Sequence, residues 1–371
     1  MKNHIGHRPT WAEVNLGNLS ANFRQVKNIL PEKVKVMVCV KADAYGHGLL
    51  PVAKRLEKEG ADYLSVASID EGIILRKNGI KLPILVLGII LAKDAAMLLE
   101  YDLAQTVCTM GLAEAINKIA EKNKLKAAVH IKVDTGMGRL GVLYKDAPGF
   151  VKEVKKLKSL NIEGIFTHLS LADINRDFTL HQIKLFNSVV RKLEKMKIHI
   201  PLVHAANSLG TINYKESHFN MVRPGLVIYG LYPEDIVTIE LLPVLSLKTK
   251  IVYFKRVPAG YGISYGYTYM AKKETTIVNL PIGYGDGYPR NLSNLGPVLI
   301  RGKRFKISGR VCMDQIMVDV GDMPVEAGDE VVLIGSQGKN KISSEELAAL
   351  SATIPYEIVC GLGSRIPRIY V

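Results

Sequence analysis

The 371-residue sequence predicts an α/β protein, a (β/α)8 TIM-like barrel over residues 1–235 followed by a mostly β domain over 236–371. Two observations lead there. Up to about residue 235, short β-rich runs alternate with amphipathic helical stretches eight times, and eight β/α units in about 200–250 residues is the size of a closed barrel. After Pro233 the helical stretches give way to strands separated by Gly-rich or charged turns such as RGKR (301–304) and GDMPVEAGDE (321–330). An open doubly wound sheet is the structural alternative; it calls for about six strands and a glycine-rich first turn, which this chain lacks.

In chain order the expected barrel strands are 34–41, 61–67, 83–88, 104–108, 127–134, 162–168, 202–206 and 221–229. Between them lie helical segments at 49–59, Ile69–Lys77, 91–101, 112–123, 148–160 and 180–196, each with apolar residues three and four apart. The second domain is expected to hold strands at 242–257, 274–281, 297–301, 304–312, 315–320 and 330–334. A helix opened by Ser343 or Ser344, with Glu345 and Glu346 in its first turn, follows them.

The formal net charge of +14 raises the question of a polyanionic partner. Yet the lysines are interleaved with apolar residues, as in VKEVKKLKSL (151–160), the pattern of a solvated helix face. No zinc spacing, basic arm or aromatic-basic RNA motif accompanies them, so no nucleic-acid partner is expected. Cys39, Cys108, Cys312 and Cys360 lie far apart, which argues against a disulfide framework or zinc cluster and for a reducing compartment. The start, MKNHIGHRPTWAEV, lacks the apolar core of a signal peptide, and the longest apolar run, LPILVLGIILA (82–92), is too short for a bilayer. A soluble cytoplasmic protein with no membrane partner and no metal site is the expectation.

Chemistry concentrates at the strand ends. In VKVMVCVK (34–41) the valines share one face and Lys35, Met37, Cys39 and Lys41 the other. The uniformly apolar, branched valine face packs outward on helices, so Lys41 points into the barrel mouth. An amine desolvated there forms Schiff bases readily, while a salt bridge to Asp43 is the plainer reading. The fifth strand, AVHIKVDTGMGRLG (128–141), turns His130, Lys132 and Asp134 to the inner face, placing a second lysine near Arg139. Such cations repel unless something anionic intervenes.

The sixth strand ends at His168, the seventh in HAANS (204–208), and the eighth in MVRPGLVIYG (221–230), with Arg223 inward. Loops after strands seven and eight of such barrels commonly bind phosphate, and Asn207, Ser208, Gly225 and Leu226 suit that role. A Schiff-base lysine beside a phosphate site suggests a cofactor with both an aldehyde and a phosphate, which is pyridoxal 5'-phosphate.

With these motifs the chain resembles the alanine racemases, the barrel-type class of pyridoxal-phosphate enzymes. The resemblance runs through KADAYGHG (41–48), VDTGMGRLG (133–141), THLSLAD (167–173), HAANS (204–208), RPGLVIYG (223–230), SYG (264–266), PIGYGDGY (281–288), GRVCMDQ (309–315) and PYEIVCGLGSRIPRIY (355–370). It implies that Lys41 holds the cofactor covalently and that Tyr45 contacts its phosphate, with Asn207, Ser208, Gly225, Leu226 and Tyr356 around that group. Arg139 would bond the phenolic oxygen of the cofactor and help bind substrate, and Arg223, supported by His204, would face the pyridine nitrogen. Tyr265 would be a second catalytic base, contributed by the other subunit of a homodimer, with His168 lowering its pKa. Met313 and Asp314 would reach the substrate carboxylate from the partner, Tyr284 would line the mouth, and Lys132 would carry a carbamate that pairs with Arg139.

The activity implied is interconversion of L- and D-alanine, supplying D-alanine for peptidoglycan. Removing the Cα proton from one face and returning one to the other needs two bases on opposite sides, which Lys41 and Tyr265 would provide. Arginine at the pyridine nitrogen cannot take its proton, which suits quick reprotonation and argues against a decarboxylase of the same plan. A serine or broad-specificity racemase, a decarboxylase using Cys312, and a cofactor carrier built on the barrel alone are the alternatives. The carrier would not need residues 236–371.

Overall fold

The computed structural model of the protein describes residues 7–231 and 239–371. The expected domain boundary at 235/236 lies outside the described residues. Eight parallel strands, Lys35–Cys39, Tyr63–Val66, Ile84–Val86, Ala104–Val107, Ala127–Asp134, Leu160–Phe166, Leu202–His204 and Met221–Val222, form the barrel. The ring closes where Met221 and Val222 pair with Lys35 and Val36. The pleat sorts the side chains into two layers as the alternation requires. Val36, Val38 and Val40 are fully buried against the surrounding helices, whereas Met37 joins Tyr63, Leu85, Phe166 and Met221 inside the barrel. Each such valine contributes about 1.5–3 kcal/mol relative to exposure.

The second domain has a long sheet in the order Lys303–Lys306, Pro297–Ile300, Glu330–Gln337, Leu245–Lys250, Thr10–Val14 and Arg368–Tyr370, with Asn340–Ile342 paired to Glu330–Gln337. A three-stranded sheet of Tyr253–Val257, Thr275–Leu280 and Ile316–Gly321 packs with it around Leu247, Val278, Ile316 and Val332. A short hairpin, Gly262–Ile263 with Tyr269–Met270, carries Tyr265 at its tip. Ser343 caps the helix Ser344–Leu350 by accepting from the Glu346 N–H at 3.1 Å.

Several expected elements are corrected. The eighth strand stops at Val222: Pro224 has no N–H to give a ladder, and Leu226–Tyr229 coils into a 3-10 turn. The helix expected over 148–160 ends at Val154, because Leu160 is drawn into pairing with Ala127. Residues 91–101 divide into a 3-10 turn, Ala92–Asp94, and a short helix, Ala95–Glu100. The run 242–257 breaks at Ile251 and Val252, whose N–H groups donate to Asp329 and Asn279 as the chain passes from one sheet to the other. Among the elements not anticipated are two near the start of the described residues. Helix Leu16–Asn28 is capped by Asn15, and strand Thr10–Val14 joins the sheet of the second domain although the chain then enters the barrel. Among the described residues no helix is long and apolar enough to cross a membrane.

His47, His130, His168, His204 and His218 are all driven below the ordinary histidine range, chiefly by burial, with His47 at about 4. The unfolded chain takes up these protons near pH 6.5 while the folded chain does not, so the stability they contribute is present above that pH and is lost as pH falls. The urea midpoint should therefore drop between pH 7.5 and 5, the unfolding free energy falling by up to about 1.4 kcal/mol per pH unit for each histidine. A midpoint unchanged over that interval would contradict their neutral burial.

Candidate active site at the mouth of the barrel

A cavity of about 650 Å³ opens at the C-terminal ends of the strands. It gathers eleven of the residues singled out from sequence: Lys41, Tyr45, Lys132, Arg139, His168, Asn207, Ser208, Arg223, Gly225, Leu226 and Tyr356. Lys41 follows the first strand and leads into a tight turn, Ala42–Tyr45, of left-handed backbone. Asp43 is not its ion partner, since the Asp43 carboxylate accepts from the Leu49 N–H at 2.7 Å and fastens the turn to the next helix.

The floor is cationic. Arg223 is buried, donating through Nη2 to the carbonyls of Thr167 at 2.7 Å and Ala205 at 3.1 Å, and burial lowers its pKa to about 10. Its Nη1 lies 2.8 Å from His204 Nδ1. A guanidinium only donates, so His204 accepts at Nδ1 and keeps its hydrogen on Nε2. That hydrogen is directed to His130 Nδ1 at 2.9 Å, which leaves the His130 hydrogen on Nε2, facing Glu163 at 3.5 Å. Arg223 thus fixes the tautomers of two imidazoles beneath it; His204 lies under the cavity and supports its floor. The Phe166 ring, which sequence reasoning passed over, lies 4.7 Å from Lys132 Nζ and 5.1 Å from the Arg223 guanidinium carbon. Phe166 is two residues before His168, so the strand alternation itself marked it as inward.

Lys132 is 5% exposed, and its Nζ has no hydrogen-bond partner among the described residues. Burial, then Arg223 and Arg139, hold its pKa well below the usual lysine range. The same burial and the same cations lower His168. Asp173 is the one carboxylate among the described lining residues.

Near the eighth strand end the character changes to hydroxyls. Tyr45 packs 4.9 Å from the Tyr229 ring and 6.3 Å from the Tyr356 ring. Burial first, then Cys39 and Tyr229, push the Tyr45 pKa up, and burial does the same to Tyr356. Both therefore stay neutral hydrogen donors. Ser208 Oγ accepts from the Gly225 N–H at 3.0 Å, which leaves its own hydrogen free to point outward. Asn207 mainly shapes this edge: it caps helix Ser208–Asn213 through the Gly210 N–H at 2.9 Å and donates to the Leu169 carbonyl. A Cβ at Gly225 would come within 2.7 Å of the Tyr45 hydroxyl, so only glycine keeps that end open. A lysine, buried cations, an orphaned amine and a rim of neutral hydroxyls together fit an aldehyde that carries a phosphate and a phenolic oxygen.

Tyr265, Tyr284, Met313 and Asp314 do not line this cavity. They form an exposed platform on the second domain, with Tyr265 72% exposed, Met313 53% and Tyr284 42%. The platform is well built. Ser264, at φ +66°, donates to the Arg310 carbonyl at 2.8 Å, and the N–H groups of Tyr284 and Gly285 donate to the carbonyls of Cys312 and Met313 at 3.0 and 2.8 Å. Buried Asp286 pairs with Arg8 and Arg365, and Arg365 also holds Asp314 at 2.6 Å.

Profiles for the alanine racemase N-terminal domain and the alanine racemase C-terminal domain match residues 14–233 and 244–370. The chain is 51% identical over 367 residues to an alanine racemase of Halothermothrix orenii, covering 98% of this chain and 97% of that one. It is 47% identical over 369 residues to an alanine racemase of Carboxydothermus hydrogenoformans, covering 98% and 100%. Among solved structures it is similar to an alanine racemase of Clostridium difficile 630, with a TM-score of 0.94 and 41% identity over 98% of this chain and 96% of that one. An alanine racemase of Bacillus anthracis with bound L-Ala-P gives a TM-score of 0.93 and 38% identity, covering 99% and 96%. Matched by both domain profiles and by relatives along nearly its whole length, the chain belongs to the alanine racemase family.

Proposed function

We propose that the protein is a pyridoxal-phosphate-dependent alanine racemase, an isomerase that acts as a cytoplasmic homodimer and supplies D-alanine for the cell wall. The observation that carries this reading is the cationic cavity with Lys41 at its edge and a rim of neutral hydroxyls opposite. Pyridoxal phosphate, when bound, acidifies the Cα–H of an attached amino acid by drawing the resulting charge into its ring. Lys41 would hold it covalently, Tyr45, Ser208, Gly225 and Tyr356 would surround its phosphate, and Arg139 would donate to its phenolic oxygen. Arg223 offers hydrogens and accepts none, so it would leave a ring nitrogen facing it unprotonated and the sink for charge mild.

Inversion then requires one base on each side of Cα. In one direction the Tyr265 phenolate of a second copy would take the proton while the Lys41 ammonium returns one to the other face; in the reverse direction the Lys41 amine would take it and the Tyr265 phenol would deliver one. A phenol ionises near pH 10, so Tyr265 needs a positive field to act near neutrality. The cavity supplies that field through Arg139 and Arg223, with the neutral His168 imidazole as its partner. The exposure of the platform that carries Tyr265, Tyr284, Met313 and Asp314, and the absence of these residues from the lining of their own chain's cavity, support a dimer with shared sites. From that platform Met313 and Asp314 would meet the substrate carboxylate.

Lys132 is the group most prone to a carbamate. Its amine is held towards the neutral form by burial and neighbouring cations; carbon dioxide would add to the nitrogen lone pair, and loss of the proton would leave an anion beside Arg139 and Arg223. With labelled bicarbonate, the protein should show a carbamate carbon resonance that Lys132→Ala abolishes. A silent spectrum would contradict the modification.

Incubated with L-alanine in deuterated water, the protein should lose optical rotation and place deuterium at Cα without forming pyruvate or carbon dioxide. Carbon dioxide release would turn the reading towards a decarboxylase. Borohydride should fix the cofactor on Lys41. Tyr265→Phe should lower racemisation by about 10²–10⁴-fold while one enantiomer still exchanges its Cα hydrogen with solvent without inverting. Loss of exchange from both enantiomers alike would remove Tyr265 from its role.

A further inference from the structure

Immediately after Lys41, four consecutive non-glycine residues adopt left-handed backbone: Ala42, Asp43 and Ala44 at φ +53° and Tyr45 at +54°. Each such residue is disfavoured, because its Cβ crowds the following carbonyl. Two of the four are alanines, which have no side-chain hydrogen bond to offset the cost. A turn of this hand persists only when its surroundings over-determine it.

The surroundings act at its two ends. At the first, Glu71 Oε1 accepts from the Ala42 N–H at 2.6 Å, while Oε2 accepts from the N–H groups of Ala67 at 2.7 Å and Ser68 at 3.3 Å. At the last, Arg368 Nε donates to the Gly46 carbonyl at 3.0 Å. The other guanidinium nitrogens donate to the carbonyls of Leu362 at 2.6 Å and of Gly363 and Ile366 at 2.7 Å. Arg368 stands on strand Arg368–Tyr370, which pairs with Thr10–Val14 in the sheet of the second domain. The turn is therefore gripped from the barrel by a carboxylate and from the second domain by a guanidinium. The grip is close: a Cβ at Gly46 would overlap the Val359 carbonyl, and one at Gly48 the Tyr370 hydroxyl.

We propose that Glu71 and Arg368 are positioning residues that clamp this left-handed turn and so fix the directions in which Lys41 and Tyr45 enter the cavity. The functional consequence rests on Lys41 being the cofactor-bearing lysine. Lys41 precedes the turn and Tyr45 closes it, so relaxation to right-handed backbone rotates the two side chains away from each other. Arginine is required at 368 because one planar fork meets four carbonyls; a lysine ammonium in its place has neither the reach nor the five donors. The clamp also makes the second domain part of the barrel site within one chain, apart from anything a partner copy supplies.

The test is hydrogen–deuterium exchange of the holoenzyme for wild type, Glu71→Gln and Arg368→Lys, with release of cofactor on dialysis and the visible circular dichroism of bound cofactor measured alongside. In both variants the amides of 42–48 should exchange about tenfold faster or more, with faster cofactor release and a weaker dichroic band, while strand Ala127–Asp134 keeps its protection. Unchanged exchange at 42–48 overturns the clamp. So does acceleration confined to helix Ile69–Lys77, which would mean that Glu71 only caps that helix, or acceleration spread over the whole barrel. If either variant fails to fold, the other decides by the same criteria. The wild-type activity assay is separate: protein that does not racemise alanine sinks the functional reading but leaves the exchange comparison standing.

Discussion

Like charges crowded at a partly dry barrel mouth are the constraint on which the rest of this structure depends. Lys41, Lys132, Arg139 and Arg223 share a cavity with a single lining carboxylate among the described residues, Asp173. Low dielectric magnifies their repulsion. The fold answers part of it internally: Arg223 spreads its hydrogens over two carbonyls and an imidazole, Lys132 is held towards its neutral amine, and His168 and His204 remain uncharged. What is left over is a positive field aimed at an anion. Phosphate, phenolate, substrate carboxylate and a tyrosinate are the groups that such a field favours, and they are the groups that racemisation through pyridoxal phosphate assembles.

The machinery proposed above is divided between the two domains. Within its own chain Tyr265 stands outside that field, at an exposed hairpin tip on the second domain, braced by Ser264 and the Arg310 carbonyl. Below it, the Asp286 carboxylate ties Arg8 and Arg365 into one rigid base, with its second oxygen accepting from Arg8 at 2.7 Å. In the proposed dimer the barrel would hold the cationic half of the site and the second domain would display the other half.

Much of this was legible from periodicity. Strict alternation in VKVMVCVK separates outward valines from the inward path to Lys41, and the same rule turns Lys132, Phe166, His168 and Arg223 towards the mouth. What alternation could not show was anything set by partners remote in sequence. Strand Thr10–Val14 precedes the barrel strands in the chain and was not anticipated, since its partners are Leu245–Lys250 and Arg368–Tyr370, brought together only by the tertiary fold. The left-handed turn was equally hidden, since KADAY has alanines where local rules would ask for glycine or asparagine. Its cause lies in Glu71 and Arg368. Proline and glycine in RPGLVIYG did announce the early end of the eighth strand, but the apolar run LVIY masked them.

If the cation cluster is the organising feature, binding at the mouth should depend on the anionic part of the cofactor. The direct measurement is the melting temperature of cofactor-free protein titrated with pyridoxal phosphate and, in parallel, with pyridoxal, which has the same aldehyde and ring without the phosphate. The account predicts a large rise with pyridoxal phosphate that shrinks as salt is added, and a much smaller rise with pyridoxal. Equal shifts for the two compounds, indifferent to salt, would contradict it.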